Sequence, residues 1–379
     1  MSETLLLALR ELKGLLKDKG LLLLALGGPF LYSFFYPLPY QHKIVRQMPV
    51  AVVDADKTNT SFKLKQMIKA TEQVALTEKY LTLQEAQTAL KERKIYAAVY
   101  IPKDFQKNIL SNQIQAVKIW TDGSYIIYYK QATKALQTAI KTMSAGIEIK
   151  KLQAKGAGKA AYALRSPVNI IERDLYNPSG SYMQYVVPAV FVAVIHQVLL
   201  MIIGMRSGTL RESKKRYSPT LRPINILFGK TLAFLFFAMC YFAFYFVLVY
   251  RLLGFSGGGA VLSFFIFYFI FVLSVIFLGI FIAQFFNERE TSVMFIVVSS
   301  LPLFFMSGAV WPVYQMPFFI QILRLFVPLS YGIEGMTRLF IMQEPLFQAL
   351  PLLVGMFIYM LIVGILAYYT IKKRYPNKI

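Results

Sequence analysis

Few residues in this sequence could do chemistry, and their spacing decides against most of it. Gly229-Lys230-Thr231 has the ending of a phosphate-binding loop. Such a loop needs another glycine five residues before its Gly-Lys, so that backbone N–H groups can cradle the phosphates. That position is Ile224. No ATP site is expected in this chain, and Lys230 reads as a side chain that snorkels to the inner headgroups. Neither H-E-x-x-H nor G-x-S-x-G occurs. With two histidines, His42 and His196, and one cysteine, Cys240, the chain can build no multi-histidine metal centre, thiolate metal site or internal disulfide. No catalytic, cofactor-binding or metal residue is assigned.

His196 and Gln197 lie inside the apolar run Tyr185–Gly204. An ionisable group within a membrane is a functional candidate by default. The plainer reading is an interhelical hydrogen bond. It is preferred, because no acidic residue stands at matching depth to complete a proton relay. Gln284 and Glu288 read as headgroup-level residues. The aromatic stripe of Ala260–Phe286 reads as lipid-facing filler.

The elements that hold these residues are membrane spans. The chain of 379 residues is 56% hydrophobic and 16% charged, against about 45–50% and about 25% in soluble domains. Its net charge of +22 could suit nucleic acid. Much of that charge flanks apolar runs, so anionic lipid is the expected partner and nucleic acid is not.

Met205–Pro223 orients the rest. It carries Arg206, Arg211, Lys214, Lys215, Arg216 and Arg222, with Glu212 as its only acid, between two long apolar runs. A short basic loop of this kind lies in the cytoplasm. Gly208 and Pro219 bracket a segment that could hold a short helix.

Residues 1–20 predict a cytoplasmic interfacial helix, with Leu5, Leu9, Leu12 and Leu16 on its apolar face and Arg10, Lys13, Lys17 and Lys19 interleaved. A cleaved signal peptide is the weaker reading, because no small-residue cleavage site follows. Residues 21–40 form the first span, broken by Gly27, Gly28 and Pro29. Residues 41–181 read as an extracytoplasmic α/β domain. Strands are expected at Val50–Asp54, Gln73–Leu76, Tyr96–Ile101 and Ala116–Trp120, and helices at Ser61–Ala70 and Asp104–Ser111. A capping box, Thr82 with Glu85, opens another helix. A long helix, 124–155, has Tyr125, Tyr129, Ala132, Leu136, Ala139 and Met143 on one face, and a Gly/Ala/Lys hinge follows. Residues 182–379 supply five more spans: Tyr185–Gly204, Ile224–Tyr250, Ala260–Phe286, Val293–Met306 and Leu350–Thr370. Ser307–Glu344, interrupted by prolines and glycines, predicts two short helices that enter the outer leaflet and return. The fold is thus mainly α: a polytopic six-helix membrane domain with an amphipathic N-terminal helix, an inserted α/β domain and both termini in the cytoplasm.

Four features, the first made of two motifs in the insert, carry a resemblance to a known family. VAVVDAD opens the insert at Val50–Asp56, and IPKDF follows at Ile101–Phe105. Asn177-Pro178 precedes the second span. Gly208-Thr209-Leu210 lies in the basic loop, and SGAVWPVYQMP spans Ser307–Pro317, with Pro328 and Arg338 beyond. The chain resembles the membrane (permease) subunit of type 2 ATP-binding-cassette exporters, in the subgroup with a large periplasmic insert. Where that family has an acidic run before its Gly-Thr, this chain has Arg206-Ser207.

The resemblance implies a bacterial inner-membrane exporter of a drug-like or lipid-like amphiphile. It also implies two ATPase subunits that hold ATP and Mg, and a second permease copy or paralogue. A periplasmic adaptor and an outer-membrane channel belong to the same picture. Arg206, Gly208, Thr209, Leu210, Arg211, Glu212, Lys214, Lys215 and Arg216 would couple to the ATPase. Ser307, Gly308, Trp311, Pro312, Pro317 and Pro328 would form the outer gate. The rival reading is a receptor or scaffold that acts through the insert, with the spans as an anchor. A secondary transporter lacks the buried acids that coupling ions need.

Overall fold

The computed structural model describes residues 2–40, 46–165, 175–177, 181–214, 217–218, 220–255 and 261–375. His42, Pro178, Lys215, Arg216 and Pro219 lie outside the described residues. The chain divides into two units, Met1–Gln41 with Asp174–Ile379, and His42–Arg173.

In chain order the first unit begins with α1 (Glu3–Lys17), capped by the Ser2 hydroxyl, and α2 (Lys19–Tyr40). The second unit holds β1 (Met48–Asp54), α3 (Asn59–Lys69), β2 (Val74–Thr77), α4 (Leu83–Lys91), β3 (Ala97–Ile101), α5 (Phe105–Leu110), β4 (Lys118–Thr121), α6 (Ile126–Leu152) and α7 (Ala161–Arg165). The first unit resumes with α8 (Tyr182–Glu212), α9 (Pro223–Leu252), α10 (Val261–Ala283), α11 (Arg289–Met306), α12 (Phe318–Leu323), α13 (Pro328–Gly335) and α14 (Leu350–Arg374).

The insert is a four-stranded sheet of order β2-β1-β3-β4. β1 pairs in parallel with β2 and β3, and β4 closes the edge antiparallel. Strand β1 is apolar on both faces because both are covered. Val50 and Val52 pack against Leu64 and Ile68 of α3 and Leu136 of α6, while Ala51 and Val53 pack against Ala86 and Ala89 of α4. The buried stripe of α6 runs through Ala132, Ala135, Leu136, Ala139 and Met143. Tyr125 and Tyr129, expected on it, are exposed, and Tyr128 meets Tyr96 instead at 4.5 Å between ring centres. The Thr82 box is half formed: its hydroxyl accepts from Glu85 N, but Glu85 Oε2 accepts from Leu81 N. The reciprocal box is Thr58 with Ser61, at the start of α3. Gly156 and Gly158, with φ of +90° and +51°, bend the chain after α6 at the expected hinge.

Among the described residues six helices are long and apolar enough to cross a membrane: α2, α8, α9, α10, α11 and α14. Gly27, Gly28 and Pro29 do not break α2. A π turn at Leu23–Gly27 passes the strain along, and the helix continues. Pro29 has no N–H to offer the carbonyl of Ala25, four residues back. Tyr241 of α9 donates its hydroxyl to that oxygen at 2.8 Å, and Tyr245 donates to the Pro29 carbonyl at 2.8 Å. A freed backbone group inside a membrane has to find such a partner.

Helix α8 is the hub. It is apolar and buried nearly all round, whereas α11 exposes Met294, Phe295, Val298 and Leu301. The aromatic stripe of α10 is not filler. Phe264, Phe267, Tyr268 and Phe271 are buried, and Phe271 and Phe267 lie where a Cβ on Gly332 and Gly335 would stand. Those two glycines let α13 and its continuation lie flat on the rings.

Candidate functional site

The basic stretch is not a loop at its start. α8 runs on through Met205 to Glu212, 31 residues in all. At about 1.5 Å per residue it is longer than the roughly 30 Å hydrocarbon core. Its last two turns therefore project, and they meet α1, α9, the 284–289 turn and the end of α14. A single glycine among Met, Arg and Leu is too weak a breaker to stop the helix. Of the segment 208–219, where a short helix was expected, the part up to Glu212 belongs to this extension, and Lys215, Arg216 and Pro219 lie outside the described residues.

Glu11 of α1 lies at the centre of the junction, 1% exposed. Arg206 Nε donates to its Oε2 at 2.8 Å, and the Tyr217 hydroxyl donates to its Oε1 at 2.5 Å. Lys230 Nζ lies 5.5 Å above the Tyr217 ring and donates to Ser207 Oγ at 3.4 Å. Lys230 is 3% exposed, so it turns inward to this cluster and does not snorkel. Burial alone would raise the Glu11 carboxyl. The Lys230 and Arg206 cations and the Tyr217 hydroxyl outweigh it and hold the group below its ordinary range. Burial, then the Glu11 charge, pushes the Tyr217 phenol up.

Small residues allow this approach. A Cβ on Gly14 would run into the Arg206 guanidinium, and one on Gly229 would come 2.6 Å from Leu7. Leu7 and Leu15 of α1 are buried, while Leu5, Leu9 and Leu16 face outward. The helix thus has two apolar faces, one on protein and one toward the expected lipid. Sequence reading found only the outer face and missed Glu11. The available signal was an acid standing alone in the middle of a basic helix.

The coupling candidates divide. Gly208 is closed against the turn, where a Cβ would be 2.5 Å from both Arg289 N and Cα. Gly204, one turn earlier, faces Ser292. This small-xxx-small pair lets α8 and α11 touch, and its spacing was legible but unread. Leu210 is 9% exposed, and the Thr209 hydroxyl donates to Met205 O at 3.0 Å. Arg211 donates to Gln284 Oε1 at 3.2 Å, and Glu212 Oε1 accepts from Arg289 N at 2.8 Å. Arg374 donates to Gln284 O at 2.6 Å. Glu212, Ser213 and Lys214 are exposed, with Lys214 at φ +51°.

The gate candidates sit at the other end of α8. Ser307 is 1% exposed, and its hydroxyl donates to Phe304 O at 2.6 Å. Gly308, at φ +96°, turns the chain toward Trp311 and Pro312. Pro317 precedes α12, and Pro328 is the first residue of α13. The stretch is two short helical pieces, as expected. Tyr185 of α8 donates to Ala309 O at 2.7 Å and pins the turn. A cavity of about 690 Å³ lies among the start of α8, this turn and α13.

His196 is 4% exposed, and its Nε2 has no hydrogen-bond partner among the described residues. Among the described residues Nε2 does not make the expected interhelical bond. Gln197 is half-buried beside it in sequence. Among the described residues no group of three or more His, Cys, Asp or Glu could hold a metal ion.

A sequence model of the family described as ABC-2 family transporter protein matches residues 19–369. No match to a curated protein was found.

Proposed function

The chain belongs to the ABC-2 transporter family, as a membrane permease subunit, and from that premise we propose that it is the membrane half of an ATP-driven exporter. In this family ATP hydrolysis lies in separate subunits. The observation that carries the reading is α8. One buried helix joins the junction around Glu11 to the turn held by Tyr185. Closure of two cytoplasmic ATPase subunits on the exposed residues Glu212 to Lys214 would push that helix along its length. The Tyr185 contact would pass the push to the outer turn and open the cavity.

The projecting end is basic and packs against α1 and the end of α14, which supports a cytoplasmic placement. The same rule puts the insert outside, where it would dock a periplasmic adaptor that leads to an outer-membrane channel. The cargo is an amphiphile, and a second permease copy or paralogue completes the pore. A receptor would have little use for a buried helix that links two ends of a six-span domain.

Single-cysteine labelling tests the orientation that this coupling requires. In a Cys240→Ala background, a cysteine at Ser111 should react with an impermeant thiol reagent in spheroplasts. One at Ser213 should react only after lysis. Both positions are exposed. Reversed labelling would remove the ATPase docking site.

A further inference from the structure

The cavity at the gate has a chain of charges in its wall whose acids are engaged, together with a buried donor, Arg324 Nε, that has no partner among the described residues. Arg324 donates to Glu334 Oε2 at 3.1 Å, and Arg338 lies 3.7 Å from Glu334 Oε1. Arg338 also grips both oxygens of Glu344 at 2.7 Å. Arg324 Nε is buried and has no partner among the described residues. A buried guanidinium N–H without an acceptor is unfavourable, and such a group in a folded protein calls for an explanation.

The two acids are taken up by the two arginines, so a cation would find no free acid here, whereas an oxygen acceptor would find Arg324 Nε. What it lacks is an oxygen acceptor beside Arg324. The remaining wall includes Ala189, Val313, Ile333 and Ile341. Apolar lining with a few convergent polar groups, at about 690 Å³, suits a small organic ligand. A planar guanidinium is the side chain that best matches a carboxylate, sulfate or phosphate.

We propose that this cavity binds the oxyanionic headgroup of an amphiphile, with Arg324 Nε donating to the headgroup and the alkyl chain on the apolar wall. As a cargo site it rests on the exporter reading. As a binding site it does not, because binding needs no ATPase.

The chain has two tryptophans, Trp120 and Trp311. A Trp120→Phe variant leaves Trp311, on the turn beside the cavity, as the sole tryptophan, whose emission is excited selectively over that of the tyrosines. The full-length protein in phosphatidylcholine nanodiscs is titrated with octyl phosphate, octyltrimethylammonium and octyl glucoside. Octyl phosphate should give a saturable change in Trp311 emission at least tenfold tighter than the other two. Arg324→Gln should weaken it at least tenfold. Equal responses to the three headgroups, a comparison that needs no Arg324 variant, would overturn the proposal. So would an unchanged Kd in Arg324→Gln. Nanodiscs with added phosphatidylglycerol separate two sources of the same headgroup. Lost octyl phosphate binding there assigns the site to an anionic lipid, and retained binding assigns it to a free amphiphile. If the site fails while an ATPase subunit still co-purifies, the cargo class falls and the exporter reading stands.

Discussion

Replacing Glu11 with alanine should destabilise the protein by about 3–5 kcal/mol, the usual cost of removing one partner of a buried ion pair. The loss leaves the Arg206 guanidinium without its acid in a site that water barely reaches, removes the counter-charge beside Lys230, and strips the Tyr217 hydroxyl of its acceptor. Glu11→Gln should lie between, because an amide oxygen still accepts but no longer balances the cations. The thermal unfolding midpoint of the purified protein would show the order wild type, glutamine, alanine. Glu11 sets the acid limb of the pH dependence, and Tyr217 contributes to the alkaline limb. Glu11 is depressed, so its contribution is present above the ordinary carboxylate value near about 4.3 and fades as pH falls through the lowered one. Tyr217 is raised, so its contribution is full below about 10 and fades only above that. Stability from this cluster should be flat between about pH 5 and 7. A midpoint that fell across that window in wild type but not in Glu11→Gln would contradict the assignment.

Gly208→Ala should be the most damaging glycine substitution at the junction. The added carbon meets the backbone of Arg289, which cannot rotate away as a side chain can. Forcing α8 from α11 costs about 1–3 kcal/mol as overpacking, and it moves the one surface through which the ATPase would act. Substrate-stimulated ATP hydrolysis should be lost while the subunit remains in the membrane. Gly204→Ala meets only the Ser292 side chain, at 2.8 Å from Oγ, and should be milder. Gly146→Ala, in α6 with nothing within 4 Å, should be neutral or stabilising by up to about 1 kcal/mol. If Gly204→Ala and Gly208→Ala behaved alike, backbone contact at the turn would not be the cause.

Much of this fold was legible because it is written in runs. β1 reads as a strand because Val50 to Val53 are buried on both faces, and α10 reads as a span because nothing interrupts Val261 to Ala283. Boundaries set by a third partner were not legible. The basic residues after Gly204 look like a loop, yet Arg206 is drawn into the helix by an acid 195 positions earlier. Lys230 looked like a snorkelling side chain for the same reason, because its partners are Ser207, Tyr217 and Glu11. The proline in α2 was read as a break, since the hydroxyls of Tyr241 and Tyr245 that repair it come from another span. The π–glycine contacts of α10 and α13 likewise depend on which face turns inward. In each case what was missing was a long-range polar or ring contact that changes the meaning of one residue.

The central claim is that an ATPase docks on the projecting end of α8. A photo-cross-linking residue at Lys214, exposed beyond the helix end, tests it in the membrane. The account predicts a covalent adduct between the chain and a co-purifying ATPase subunit, formed from Lys214 and not from Ser111 in the insert. An adduct from Ser111 alone, or no ATPase subunit in the purified complex, would contradict it.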